Sequence, residues 1–254
     1  MRKSIIIIPS RLAASRLPNK PLININNKSL IMRVYENAVK SNVGEVYVAT
    51  CDDEIASEVN KNGGKFVMTD KMHSTGTDRV CEASKKLGIK DEDIVINVQG
   101  DEPMISPIDI KNLNTISRKL NLNISTLAHD IKKKNDYKNE NIVKVVTKNK
   151  ITNKTTVEAL NFYRIINTNS LKNVYHHIGV YLYKFSALKK FIKLQKSKEE
   201  ISQRLEQLRA VDNNMIINVL LANHFSSGID TKKDLDEYIN LLNKEKIWKL
   251  FIKV

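Results

Sequence analysis

The stretch Ile94-Val95-Ile96-Asn97-Val98-Gln99-Gly100-Asp101-Glu102-Pro103 constrains this chain more than any other. An apolar run stops abruptly at Gln-Gly-Asp-Glu-Pro. Buried parallel strands read as continuous hydrophobic runs, and open α/β sheets bind ligands beyond the carboxyl ends of their strands. Gly100 permits a sharp turn and Pro103 prevents further strand pairing. Asp101 is thereby expected at a strand tip, with a carboxylate suited to a hard cation such as Mg²⁺. A lone acidic turn would look the same, so the neighbouring segments decide between the two.

The first half of the chain alternates strand and helix patterns. Strands are expected at Ser4–Ile8, Glu45–Thr50, Lys65–Met68 and Asp93–Val98. Helices are expected at Ser29–Lys40, at Asp53–Lys61 with Asp52 as cap and Gly63-Gly64 as stop, and at Thr77–Leu87 before Gly88. This order argues for a parallel sheet with helices on both faces. The second half reads as strands at Ile124–His129, Asn141–Thr147, Thr155–Leu160, Tyr175–Tyr183 and Met215–Leu220. Helices are expected near Ala187–Leu194 and Glu199–Val211, with a last one from Thr231. No repeat or low-complexity linker divides residues 1–254. The expectation is one domain, with a nucleotide-binding half over about 1–122 and a β-rich half over about 123–254.

Composition excludes several classes. Hydrophobic residues make up 41% of 254 residues, enough for a large core, which argues against disorder. No run approaches the roughly 18 apolar residues of a membrane span. Ile5–Ile8 is too short for a signal peptide, so a cytoplasmic location is expected. Cys51 and Cys81 have no metal-type spacing. The net charge of +14 invites a nucleic-acid-binding reading, but the basic residues are spread along a chain rich in Asn, Lys and Ile. Nucleic acid is the minor alternative, and part of the excess also suits an anionic substrate.

The first loop, Pro9 to Pro21, follows the first strand and carries Arg11, Arg16 and Lys20. Guanidinium forks and an ammonium together suit a polyphosphate. The glycine spacings of a P-loop or a dinucleotide fold are absent.

Eight segments occur in order: Pro9-Ser10-Arg11, Arg16-Leu17-Pro18-x-Lys20-Pro21-Leu22, His73-Ser74-x-Gly76-Thr77-Asp78-Arg79, Asn97–Pro103, Val143-Lys144-Val145-Val146, His177-x-Gly179-x-Tyr181-x-Tyr183, Leu205-Glu206-Gln207-Leu208-Arg209 and Gly228-Ile229-Asp230-Thr231. Together they resemble the 3-deoxy-manno-octulosonate (KDO) cytidylyltransferase family. The resemblance implies a Rossmann-like, GT-A-like α/β fold, its sheet mostly parallel and flanked by helices, with an inserted β-rich subregion for sugar binding and dimerisation. It implies transfer of CMP from CTP to the anomeric hydroxyl of KDO, with release of pyrophosphate, for lipopolysaccharide synthesis. By the same resemblance Asp101 and Asp230 hold Mg²⁺, and these two carboxylates with Arg11 and Lys20 carry the chemistry. Pro9, Arg11, Arg16, Lys20, Ser74, Gly76, Thr77, Arg79 and Gln99 take CTP. Gln99, Arg164, His177, Tyr181, Glu206 and Gln207 take the acid sugar, Arg164 through its carboxylate. A homodimer is also implied, with no membrane or nucleic-acid partner. One segment departs from the family's Tyr-Phe-Ser-Arg-x-x-Ile-Pro: here Asn161-Phe162-Tyr163-Arg164-Ile165-Ile166-Asn167 has Tyr for Ser and Asn for Pro. That leaves a related acid sugar, the 8-amino form or a nonulosonate, as the alternative substrate.

Overall fold

The computed structural model describes residues 2–13, 17–152, 155–166 and 171–251, with backbone alone over 245–251. Four isoleucines open the fold: Ile5, Ile6, Ile7 and Ile8 in β1 (Ser4–Pro9) are all buried. Alternation sends Ile6 and Ile8 to one face of the sheet and Ile5 and Ile7 to the other. A minor hairpin, β2 (Asn24–Ile25) and β3 (Lys28–Ser29), leads into α1 (Leu30–Lys40). Then come β4 (Glu45–Thr50), α2 (Asp53–Lys61), β5 (Phe66–Met68), α3 (Gly76–Lys86) and β6 (Ile94–Asn97). Ile6 and Ile8 pack with Ile31 and Val34 of α1 and Ile55 of α2, while Ile5 and Ile7 pack with Val80 and Cys81 of α3. Burying each such side chain contributes about 1.5–3 kcal/mol. Apolar surface on both faces of β1 is thus what calls for helices on both sides.

The chain continues through α4 (Pro107–Lys119), β7 (Ile124–Asp130), β8 (Lys144–Thr147), β9 (Val157–Tyr163) and β10 (Val174–Lys184). It ends in α5 (Phe185–Ile192), α6 (Lys198–Gln203), α7 (Leu208–Asp212), β11 (Asn218–Leu221) and α8 (Lys232–Phe251). One sheet runs β5-β4-β1-β6-β10-β7-β11-β9-β8. It is mixed. Parallel pairing joins β5, β4, β1 and β6, and again β7 with β11. Antiparallel pairing takes over at β10, which lies against β6, β7 and β8. The register of β10 on β7 shifts between Ile178 and Tyr181, spanning Gly179. β10 is therefore the seam between the two halves.

Several local expectations need correction. Asp52 stands at the start of α2 but makes no side-chain cap; its Oδ2 instead accepts from Leu12 N at 2.8 Å and pins the first loop. The helix expected over Glu199–Val211 is two short helices, because Arg204 adopts φ 54° and breaks the run. The strands expected from Asn141 and Met215 begin later, at Lys144 and Asn218. Helix α4 had no counterpart in the sequence reading, although Ser106 before Pro107 is a helix-start signal. Gly63 does end α2 as expected, at φ 72°.

Candidate active site

Two strand ends meet at the centre of the site. A Cβ at Gly100 would lie 2.9 Å from the Pro9 carbonyl oxygen, so only glycine lets the segment after β6 run this close to β1. The need is for close approach rather than for an unusual turn, since Gly100 is not among the positive-φ residues. Glu102 N bonds back to Gln99 O at 3.2 Å, and this turn presents Asp101.

The second carboxylate arrives from the far end of the chain. Ile229 N donates to Asp101 O at 2.8 Å, and Ser226 Oγ donates to Glu102 Oε2 at 2.7 Å. Asp234, in the first turn of α8, accepts from Asp230 N at 3.0 Å and from Thr231 N at 2.7 Å. These bonds seat Asp230 beside Asp101. Lys20 Nζ lies 2.6 Å from Asp101 Oδ2 and 3.0 Å from Asp230 Oδ1. The two carboxylate oxygens are thus no farther apart than the sum of those distances. Burial alone would lower the Lys20 pKa, but the two aspartates outweigh it and raise it.

Two cavities share this spot. One, of about 470 Å³, is lined by Pro9, Arg11, Lys20, Ser74, Gly76, Arg79 and Gln99. The other, of about 840 Å³, is lined by Thr77, Gln99, Arg164, His177, Tyr181, Glu206 and Gln207. Gln99, Asp101, Glu206 and Asp230 line both. The expected nucleotide and sugar residues therefore fall into two adjoining spaces, with one exception. Thr77 faces the second cavity, where its Oγ1 donates to Glu206 Oε2 at 2.7 Å. Arg16 and Asn167 lie outside the described residues.

The second cavity is polar, with acidic side chains such as Glu102 and Glu206 and basic ones such as Arg164 and Lys133 in its wall. His177 Nε2 is 3.0 Å from Thr126 Oγ1, and burial lowers its pKa to about 3. Its neighbour His176 is lowered to about 3, chiefly by burial. Burial also raises Glu206, whose Oε1 accepts no hydrogen bond and has Arg209 Nη2 at 3.6 Å. Arg209 is itself gripped by Glu200 through two bonds, of 2.8 and 2.6 Å. Arg164 donates to the carbonyls of Gln203, Glu140 and Arg204 at 2.7, 3.0 and 3.1 Å. This leaves part of the guanidinium fork for an incoming carboxylate. Tyr163 does not line the cavity; its hydroxyl accepts from Asn161 Nδ2 at 3.1 Å.

Sequence reasoning missed Glu102, Ser226 and Lys144. Glu102 is buried in the cavity wall and pushed up to about 7 by burial. Its place next to Asp101 was the available signal. Lys144 is buried with its ammonium on the carbonyls of Asn139 and Ile142, at 2.9 and 2.7 Å, and on that of Arg164. The Val143–Val146 segment marked it as part of the family resemblance, but gave it no role.

The donor set at Asp101 and Asp230 suits magnesium. The two side chains are 32% and 40% exposed, so an ion can reach them. Among the described residues no group of three or more His, Cys, Asp or Glu is placed to hold a metal. Magnesium commonly takes one or two carboxylates and completes its shell with phosphate oxygens and water.

A carboxylate at a strand end, joined by one from just before the last helix, beside a basic first loop and two adjoining cavities, is the arrangement of a nucleotidyltransferase. Comparisons with known proteins agree. A cytidylyltransferase family model matches residues 5–218. A 3-deoxy-manno-octulosonate cytidylyltransferase of Thermodesulfovibrio yellowstonii is 42% identical over 250 residues, covering 94% of this chain and 98% of its own. One of Afipia carboxidovorans is 40% identical over 243 residues, covering 95% and 98%. A solved CMP:2-keto-3-deoxy-manno-octonic acid synthetase, complexed with CTP, superposes with a TM-score of 0.85 at 36% identity, covering 96% of this chain and 99% of that one. A UDP-glucose pyrophosphorylase, at TM-score 0.69 and 15% identity with 96% and 100% coverage, shares the fold. The chain belongs to the cytidylyltransferase family, in its 3-deoxy-manno-octulosonate branch.

Proposed function

We propose that the protein transfers CMP from CTP to the anomeric hydroxyl of KDO, giving CMP-KDO and pyrophosphate for lipopolysaccharide synthesis. One observation carries the reading: the two cavities share Asp101 and Asp230 as a common wall, so a nucleotide in one and an acid sugar in the other meet at the carboxylates. The anomeric oxygen attacks the α-phosphorus, the bond to the bridging oxygen breaks, pyrophosphate leaves, and the hydroxyl proton passes to solvent. Catalysis of such a step rests on positioning and charge neutralisation. Arg11 and Lys20 neutralise the triphosphate, while Ser74, Gly76 and Arg79 wall the nucleotide cavity. Gln99, at the junction, touches both substrates. His177, Tyr181, Glu206 and Gln207 meet sugar hydroxyls, and Arg164 meets the sugar carboxylate. A neutral His177 offers hydrogen bonding without competing for that carboxylate. Held by Asp101 and Asp230, Mg²⁺ would supply charge neutralisation at the transferring phosphate and acidify the sugar hydroxyl.

Because Tyr163 is not among the residues that line the sugar cavity, its exchange for the family's serine leaves that wall unaltered, which favours the unmodified sugar over the 8-amino form or a nonulosonate. We also infer a homodimer and a cytoplasmic location. No helix among the described residues is long and apolar enough to cross a membrane. The functional test is pyrophosphate release across four nucleoside triphosphates and a panel of acid sugars. CTP with KDO is expected to be fastest; a preference for another nucleotide, or for a sugar lacking the carboxylate, would overturn the reading.

A further inference from the structure

The Lys20 ammonium has three N–H donors, and all three are committed. They go to Asp101 Oδ2 at 2.6 Å, Ile229 O at 2.9 Å and Asp230 Oδ1 at 3.0 Å. An ammonium has no fourth donor. Lys20 therefore cannot hold a phosphate oxygen while it holds this constellation intact. The side chain is only 14% exposed, so it is seated between the carboxylates rather than draped over them. A Lys20 that reaches into the nucleotide cavity, which it also lines, must release at least one of these three partners, two of which are the aspartates.

We propose that Lys20 is a positioning residue that stands in for the divalent cation in the nucleotide-free protein. In that state its charge offsets the repulsion between Asp101 and Asp230 and keeps them together, with Ile229 fixing its third donor. The same charge excludes a divalent ion from the pair. An incoming triphosphate draws Lys20 away and exposes both carboxylates, so metal entry is coupled to nucleotide entry. This rests on the Mg²⁺ assignment to Asp101 and Asp230 made above.

The test is Mn²⁺ binding to the protein alone, without nucleotide or sugar, read from the loss of the free-ion electron paramagnetic resonance signal. Wild type is expected to bind weakly. Lys20→Met and Lys20→Gln remove the competing charge and should each bind Mn²⁺ at least about tenfold tighter, the scale of one charged hydrogen bond. Lys20→Arg keeps the charge and should stay weak. Adding Asp101→Asn to Lys20→Met should abolish the gain. A merely structural lysine predicts the opposite sign, because its loss would loosen the pair and weaken binding. Micromolar affinity in nucleotide-free wild type, or unchanged or weaker affinity in both neutral variants, overturns the proposal. Failure of the functional reading is a separate result, seen as absence of CMP-sugar product from wild type.

Discussion

Replacing Gly100 with alanine tests whether close backbone approach is what places Asp101. The added methyl would lie 2.9 Å from the Pro9 carbonyl oxygen, 3.4 Å from Ile31 Cδ1 and 3.5 Å from Ser10 Cβ. The first contact is with backbone, which cannot swing aside as a side chain can. Restoring an ordinary separation of 3.4 Å requires a movement of about 0.5 Å between the β1 and β6 ends. Overpacking of this kind costs roughly 1–3 kcal/mol, and at this chain length each kcal/mol lowers Tm by about 2–4 °C. Gly100→Ala should therefore melt about 2–12 °C below wild type. Since a misplacement of about 1 Å at a reacting centre costs around a hundredfold, half of it should lower kcat about tenfold. Pyrophosphate release at saturating CTP and KDO reads the second quantity, and differential scanning fluorimetry the first. Wild-type values for both would refute the idea that glycine is needed here for contact.

Other expectations follow from burial and charge. Arg209→Met leaves Glu200 buried without its two bonds and should cost about 3–5 kcal/mol; adding Glu200→Gln should restore part of the lost Tm, as paired thermal melts would show. Arg164→Ala should raise the KM for the acid sugar about tenfold or more while leaving that for CTP unchanged, since an ion-paired donor contributes about 1.5–3 kcal/mol. His176 and His177 are held neutral to about pH 3, whereas the unfolded chain takes up protons below about 6.5. The unfolded state then binds more protons, and stability falls as pH drops through that window by about 1.4 kcal/mol per unit for each ring. Glu102, raised to about 7, opposes one of them between about pH 4.5 and 6.5. Urea melts at pH 7 and 5.5 should show a net loss on acidification, and His177→Asn should flatten it.

The strongly patterned parts of the fold were readable. Ile5–Ile8 and Ile94–Val98 are continuous apolar runs because both faces of their strands are covered, and that signal has few alternatives. The break at Arg204 was not readable, since a non-glycine residue at positive φ leaves no compositional mark. Asp52 had the right place for a cap, yet Leu12, distant in sequence, claims its carboxylate. The site splits the same way. Strand position made Asp101 a candidate that the neighbouring segments had to decide, and nothing periodic connects it with Asp230. Their meeting came from family resemblance, and its cause is tertiary: Ile229 N on Asp101 O, Ser226 on Glu102, and Asp234 on the turn after Asp230. Thr77 was placed with the nucleotide because its segment is; its hydroxyl bonds Glu206, a residue of the wall that the two cavities share.

The most direct test of the account is an anomalous map from crystals grown with Mn²⁺ and a non-hydrolysable CTP analogue. A manganese peak bonded to both Asp101 and Asp230 and to a phosphate oxygen, with Lys20 moved onto the triphosphate, is the predicted result. A metal held by the nucleotide alone, with Lys20 still between the two carboxylates, would contradict it.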